Sequence, residues 1–147
     1  MGKNILTPAE PVAGRMNKLA ANDELTARNA DKHWLYEKSV QTPDVEVVFI
    51  DRVFKKEFGR LPAFLREDFC GTAILCAEWA KRRGGNTALG VDLDGPTLEW
   101  GRVNNINPLG DRSGAVTHRL DDLLRPADVF RRRTEHLSCD LDLARVQ

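Results

Sequence analysis

In the central part of the sequence, short apolar segments alternate with segments of helical character, and glycine or proline residues separate them. The apolar segments are 63–69, 87–92 and 115–120. Helices are expected between them, at 73–83 and 94–105, where helix formers predominate or a capping aspartate precedes a proline. Helices of about ten residues between short apolar strands are typical of crossover units in a parallel sheet. The sequence therefore predicts an α/β fold with a parallel sheet.

Two further helices are expected before the first strand. Residues 31–40 have a helical pattern that stops near Pro43, because the residue before a proline disfavours helical backbone. After Pro43, apolar residues recur every three or four positions at Val47, Ile50, Phe54 and Phe58. Gly59 is placed to end this second helix.

Composition and charge exclude several classes of function. Lys plus Arg equals Asp plus Glu, at 22 each, so no general affinity for nucleic acid is expected. The three cysteines, Cys70, Cys76 and Cys139, include no Cys-x-x-Cys pair, so no metal site is expected and a reducing cytoplasm is the expected location. No apolar stretch approaches the ~20 residues that a membrane-spanning helix needs, so no membrane partner is expected.

Acidic residues follow or occupy the ends of the three expected strands. Glu67 lies in the first strand just before Gly71, Asp92 ends the second, and Asp121-Asp122-Leu123 follows the third. In open α/β sheets, ligands bind at the carboxyl ends of the strands, where a tight turn opens the next helix. A carboxylate at the second strand end can accept hydrogen bonds from ribose hydroxyls. This pattern favours a cofactor that contains adenosine.

Residues 67–73, Glu-Asp-Phe-Cys-Gly-Thr-Ala, resemble motif I of class I S-adenosylmethionine-dependent methyltransferases, which is usually written acid-x-Gly-x-Gly-x-Gly. Gly90-Val91-Asp92 resembles motif II of the same family. Residues 65–73, together with the upstream stretch 33–41, also resemble a particular branch of these enzymes. The resemblance extends from about Asp31 to Leu124 and implies a Rossmann-like sheet, S-adenosylmethionine as the cofactor and methyl transfer as the activity.

The resemblance also implies roles for individual residues. Glu67 and the Gly71 turn would hold the methionine end of the cofactor, Asp92 the ribose, and Asp122 with Leu123 the adenine. The expected cofactor contacts are Tyr36, Glu67, Phe69, Cys70, Gly71, Asp92, Leu93, Asp122 and Leu123. No catalytic residue is identifiable, and the methyl acceptor can be a small molecule, a protein or an RNA. Phe69 and Ala73 depart from the family, because they stand where it has its first and third glycines.

Each of these residues also has a structural interpretation. Glu67 can pair with Arg66 or with a nearby lysine instead of binding a ligand, and Asp92 can cap the next helix, although Asp94 is better placed for that role. Asp121 competes with Asp122 for the adenine role.

For some residues packing is an equal or better interpretation than binding. Cys70 and Cys76 are expected in the core, because no nearby histidine or second thiol offers a ligand set. His33, Trp34 and Tyr36 can cap the cofactor pocket or pack the first helix on the sheet.

Two other functions compete with methyl transfer. A nicotinamide-binding domain would need glycines at 69, 71 and 74, where the sequence has Phe69, Gly71 and Ile74. A non-enzymatic fragment that binds cofactor or a partner is the alternative from another class. It is favoured by an expected truncation after about three strands, because beyond Leu120 the sequence suggests only a helix at 128–136 and no convincing fourth strand. The expected domains are an N-terminal arm with a cap helix, 1–42, and a partial cofactor-binding methyltransferase domain, 43–147.

Overall fold

The structure, a computed structural model, describes residue 26, residues 29–121 and the backbone of residues 141–142. The helices in this part of the chain are α1 (Lys32–Val40), α2 (Pro43–Phe58), α3 (Ile74–Arg82) and α4 (Gly95–Gly101). The strands are β1 (Phe64–Asp68), β2 (Thr87–Asp92), β3 (Val116–Leu120) and β4 (Leu141–Asp142). None of the described helices is long and apolar enough to cross a membrane.

The strands form one parallel sheet in the order β3-β2-β1-β4. Strands β1 to β3 agree with the three predicted from the sequence, and helices α3 and α4 follow β1 and β2 as expected, so the Rossmann-like α/β fold is confirmed. The two-residue strand β4 was not expected; it pairs with β1, with Leu141 opposite Leu65 and Asp142 opposite Arg66. Two residues are too few to show a period in the sequence. The helix expected at 128–136 lies outside the described residues.

Local sequence signals define several helix ends. The side chain of Asp31 caps α1 by accepting hydrogen bonds from the amides of His33 and Trp34, and Asp94 caps α4 in the same way through Thr97. Gly59 ends α2 with φ 72°, in the left-handed region that glycine occupies without strain.

The helix that begins at Gly95 changes its geometry after Gly101. The sequence predicted one helix as far as Asn105, but the α-helix ends at Gly101 and a π-helical turn, Arg102–Ile106, follows it. A 3₁₀ segment, Asn107–Ala115, then leads to β3 and is broken at Gly110. Within the π turn the side chain of Asn105 donates to the carbonyl oxygen of Thr72, which ties this turn to the loop after β1. Single π turns inside helices are frequent at functional sites.

The core lies between the sheet and α3. Leu65 of β1 and Ala88 of β2 pack with Trp79 of α3, and all three are almost fully buried. Cys70 and Cys76 are buried in the same cluster as free thiols, which confirms that they are core residues.

A buried ion cluster connects α2 to the end of α3. Asp51 is 6% exposed, and its carboxylate accepts hydrogen bonds from Arg82 at 2.5 Å and from Arg83 at 2.6 and 2.8 Å. Arg83 also donates to the carbonyl oxygen of Pro62 and lies 5.3 Å from the ring centre of Trp79. The arginines at the end of α3, which the sequence presents as a basic last turn, therefore bind α2 to the loop before β1.

Helix α4 lies against the backbone of the loop after β1 at Gly101. A Cβ at this position would overlap the carbonyl oxygen of Thr72, which is backbone and has little freedom to move. We therefore expect Gly101→Ala to lower the free energy of unfolding by about 2 kcal/mol, because overpacking outweighs the better helix propensity of alanine. Chemical denaturation measures the change.

Gly114, in the 3₁₀ segment before β3, provides the control. Apart from its chain neighbours, a Cβ there would have no atom within 4 Å. Gly114→Ala should therefore leave stability unchanged or raise it slightly. Equal effects of the two substitutions would contradict the close approach at Gly101.

Candidate functional site

A cleft of about 360 Å³ opens where β1 and β2 end, beside α1 and the first turn of α4. Its lining residues come from four parts of the chain and are His33, Tyr36, Gln41, Glu67, Phe69, Cys70, Gly71, Thr72, Asp92, Asp94 and Thr97. Six of the nine residues that the sequence suggested as cofactor contacts are therefore brought together here. A ligand cleft at the carboxyl ends of parallel strands is the arrangement that this fold class favours.

Asp92 links the two strand ends. One oxygen of its carboxylate accepts a hydrogen bond from the backbone amide of Gly71 at 2.8 Å, and the other accepts one from the amide of Asp94 at 2.9 Å. Asp94, and not Asp92, caps α4, as the sequence suggested. An ionised carboxylate has about four lone-pair sites, so about two acceptor sites of Asp92 remain for a ligand.

The loop after β1 contains three residues with left-handed backbone. Gly71 has φ 55°, and Phe69 and Ala73 have φ 61° and 55°. The backbone therefore follows a path that suits glycine at all three positions, although only one of them is glycine. Left-handed backbone costs a residue with a Cβ roughly 1–2 kcal/mol, so strain is concentrated beside the cleft.

This strain gives a prediction for Phe69, which is 57% exposed and so loses little packing when it is truncated. Phe69→Gly is expected to raise the free energy of unfolding by about 0.5–1 kcal/mol, as thermal or chemical denaturation would measure. Leu93 is equally exposed, at 56%, but has no left-handed backbone. Leu93→Gly should therefore lower stability, and a loss of stability in both variants would show that Phe69 is not strained.

Glu67 is the most unusual group in the cleft. Burial raises its pKa to about 7, an effect that the hydrogen bond from Cys76 opposes and that the negative charges of Glu46 and Asp92 increase. The Cys76 thiol lies 3.1 Å from Oε2 of Glu67.

The alternative interpretation, in which Glu67 pairs with Arg66, is wrong. Neighbouring strand residues point to opposite faces of a sheet, and Arg66 instead pairs with Asp68 on its own face, at 2.9 Å. The cleft-facing carboxylate of Glu67 therefore has a thiol as its partner.

Helix α1 is attached to the cleft through a second buried carboxylate, Glu37. It is 6% exposed and accepts hydrogen bonds from the hydroxyl of Thr72 at 2.5 Å and from the side-chain amide of Asn105 at 2.7 Å. At the start of the helix, Asp31 accepts a hydrogen bond from the indole of Trp100, whose ring contacts His33. Helix α1 therefore packs on the domain and places His33 and Tyr36 at the cleft.

Three of the suggested contacts are not among the described residues that line this cleft. Leu93 is exposed and does not line it, while Asp122 and Leu123 lie outside the described residues. Four lining residues were not suggested by the sequence: Gln41, Thr72, Asp94 and Thr97. Gln41 could have been found, because it is the last residue of the upstream stretch in the family resemblance.

Comparisons with known proteins add little to this geometry. A scan against protein-family models finds no match, and a search of curated proteins finds no relative. Among solved structures, the chain is similar to a TehB-like SAM-dependent methyltransferase from Corynebacterium glutamicum ATCC 13032 Kitasato, with 15% sequence identity and a TM-score of 0.36. The match covers 76% of this chain and 44% of that one, so the chain spans less than half the length of its neighbour. Such a distant likeness carries no argument about function.

Proposed function

We propose that this chain binds S-adenosylmethionine in the cleft and provides the cofactor-binding part of a methyltransferase. The observation that supports this most strongly is the charge of the cleft. Its carboxylates are Glu67, Asp92 and Asp94, and His33 is the one described lining residue that can become cationic. An acidic cleft favours a ligand with positive charge, and S-adenosylmethionine carries both a sulfonium and an ammonium.

The same charge argues against a dinucleotide. A diphosphate needs free backbone amides or cationic side chains, but the amide of Gly71 donates to the carboxylate of Asp92. No lysine or arginine occurs among the described residues that line the cleft. A diphosphate placed here would face acidic groups without compensation.

The residues present fit the parts of the proposed cofactor. The two remaining acceptor sites of Asp92 suit the ribose hydroxyls, and Glu67 suits the ammonium of the methionine end. Tyr36 and Phe69 line the same cleft and are 60% and 57% exposed, so their rings are free to pack against a ligand. When bound, the cofactor supplies a sulfonium methyl for in-line attack by a nucleophile, while the chain contributes alignment and excludes water.

The methyl acceptor belongs to the proposal only as a class of nucleophile: a small molecule, a protein or an RNA. Among the described lining residues, Glu67 has a pKa that suits proton transfer near neutral pH, but its suggested contact with the ammonium assigns it to binding. A non-enzymatic chain that binds the cofactor without turnover remains the second candidate, and the same cleft supports it.

Substitution of Asp92 tests the proposal. Asp92→Asn retains one acceptor oxygen but turns the other into an NH₂ group that cannot accept from the Gly71 amide or from a ribose hydroxyl. We expect calorimetric titration with S-adenosylhomocysteine to show binding weaker by about 1–3 kcal/mol.

Asp94→Asn is the matched control, because Asp94 also lines the cleft and asparagine caps helices as well as aspartate does. The affinity of the Asp94→Asn protein for S-adenosylhomocysteine should change much less than that of the Asp92→Asn protein. Unchanged affinity in a folded Asp92→Asn protein would remove Asp92 from the site.

A further inference from the structure

Helix α2 has apolar residues on two opposite faces. The residues that it buries against the rest of the domain are Val47, Ile50, Asp51 and Phe54. On the other side of the helix, Val45, Phe49 and Val53 recur at every fourth position and are 60%, 62% and 39% exposed. A surface helix usually has one apolar stripe and a polar face opposite to it. A second stripe, here called the outer stripe (Val45, Phe49 and Val53), is typical of a surface that contacts a partner.

The outer stripe is symmetric about its central residue. Phe49 is four residues from both Val45 and Val53, so a twofold axis beside Phe49 would place Val45 of one copy level with Val53 of another. Rows of side chains at every fourth position are the ridges by which two helices pack together. A contact between two identical chains about a twofold axis requires a patch that is complementary to itself. The outer stripe meets this requirement when two α2 helices pack antiparallel.

The charges at the ends of α2 favour the same antiparallel arrangement. The first turn contains Asp44 and Glu46, and the last turn contains Lys55 and Lys56 with one acid, Glu57. Two antiparallel copies bring the acidic turn of each helix beside the basic turn of the other, so that both ends attract. A parallel pair would place turns of like charge together, which is unfavourable. The helix is therefore complementary to a second copy of itself in charge as well as in shape.

We propose that α2 is a contact surface for a second copy of this chain, which packs antiparallel on the outer stripe about a twofold axis at Phe49. One face of a single helix is smaller than the about 800 Å² per partner of a standard interface, so the dimer is weak and forms at concentrations of about 0.1 mM. None of the described residues that line the proposed cofactor cleft belongs to α2, so this surface is separate from the cleft.

Sedimentation equilibrium of the full chain over a range of concentrations tests the proposal. The average mass of the wild type should rise from that of one chain towards that of two. Phe49→Glu places two carboxylates at the centre of the contact, and we expect it to raise the dissociation constant at least about tenfold. Leu93 is 56% exposed and lies outside α2, so Leu93→Glu should associate as the wild type does. Equal weakening by both substitutions would overturn the assignment of the contact to the outer stripe.

Exchange of the charges tests the orientation. The double variant Asp44→Lys with Glu46→Lys, and the double variant Lys55→Glu with Lys56→Glu, each have like charges at both ends of α2. Neither should dimerise alone, whereas an equimolar mixture should form a heterodimer, because each basic turn then faces an acidic one. Circular dichroism checks that both variants fold. Two folded variants that dimerise alone, or a mixture that stays monomeric, would overturn the antiparallel arrangement.

Thermal unfolding separates a second copy from another occupant of the outer stripe. In dilute solution, where the chain is monomeric, Phe49→Glu should have the Tm of the wild type, because Phe49 is exposed and glutamate is at least as good a helix former as phenylalanine. A wild type that stays monomeric at every concentration would overturn the proposal. A lower Tm for Phe49→Glu in that case would indicate that another part of the same chain covers the outer stripe.

Discussion

Asp51→Ala is expected to lower the free energy of unfolding by about 3 kcal/mol, the lower end of the range for breaking a buried ion pair. Removal of this carboxylate leaves Arg82 and Arg83 without their shared partner. The side chains of Arg82 and Arg83 are about 30% exposed, so they recover some hydration, which keeps the loss at the lower end of the range. Chemical denaturation measures the loss directly.

Acid should weaken the same cluster. Burial by itself would raise the pKa of Asp51, but hydrogen bonds from Arg83 and Arg82 outweigh it and hold the pKa below its usual range. A carboxyl with a lowered pKa in the folded state stabilises the fold above the pKa of a free aspartate. This contribution is lost as the pH falls through the folded-state pKa, so Asp51→Ala should flatten the stability profile in that acidic range.

Glu78 provides the control for Asp51, since it forms an ion pair with Lys81 on the same helix α3, at the surface. Glu78→Ala should cost at most about 1 kcal/mol, because exposed ion pairs contribute little. A loss for Asp51→Ala no larger than that for Glu78→Ala would show that the buried cluster does not hold α2 to α3.

Glu67 should have the opposite dependence on pH. Its pKa is raised to about 7 in the folded state, so the folded chain keeps a proton that the unfolded chain releases at lower pH. The stabilisation is therefore complete below the ordinary pKa of a glutamate and is lost as the pH rises to about 7. The expected fall in the free energy of unfolding across this window is about 3 kcal/mol.

Glu67→Gln should remove this fall, because the amide is neutral throughout and its oxygen can still accept from the Cys76 thiol. Denaturation from pH 4 to pH 8 tests it, with Glu57→Gln on the exposed end of α2 as a control that keeps the wild-type profile. If the free energy of unfolding depended on pH in the same way in Glu67→Gln and in the wild type, the burial of an ionisable group at this position would be contradicted.

The part of the fold that the sequence predicted depends on local signals. Gly59 and Asp94 mark helix ends through contacts within three or four residues, and the structure has both as expected. The strand ends and the turn at Gly71 were also predictable, because glycine and acidic residues after short apolar segments indicate a ligand edge in parallel sheets.

The parts of the fold and of the cleft that the sequence did not predict depend on contacts between residues far apart in the chain. Glu37 belongs to a helix with many polar residues, and nothing nearby in sequence shows that its partners are Thr72 and Asn105, which lie 35 and 68 residues away. Asp51 likewise resembles an exposed helix residue until α3 brings two arginines to it. Gln41 is distinguished only by the absence of a described partner for its oxygen, which no sequence pattern can show.

The most direct test of the account is a calorimetric titration of the wild-type chain with S-adenosylhomocysteine and, separately, with NAD. The acidic lining of the cleft and the amide of Gly71 already held by Asp92 predict binding of S-adenosylhomocysteine and much weaker binding of NAD. Equal or tighter binding of NAD would contradict the assignment of this cleft to S-adenosylmethionine.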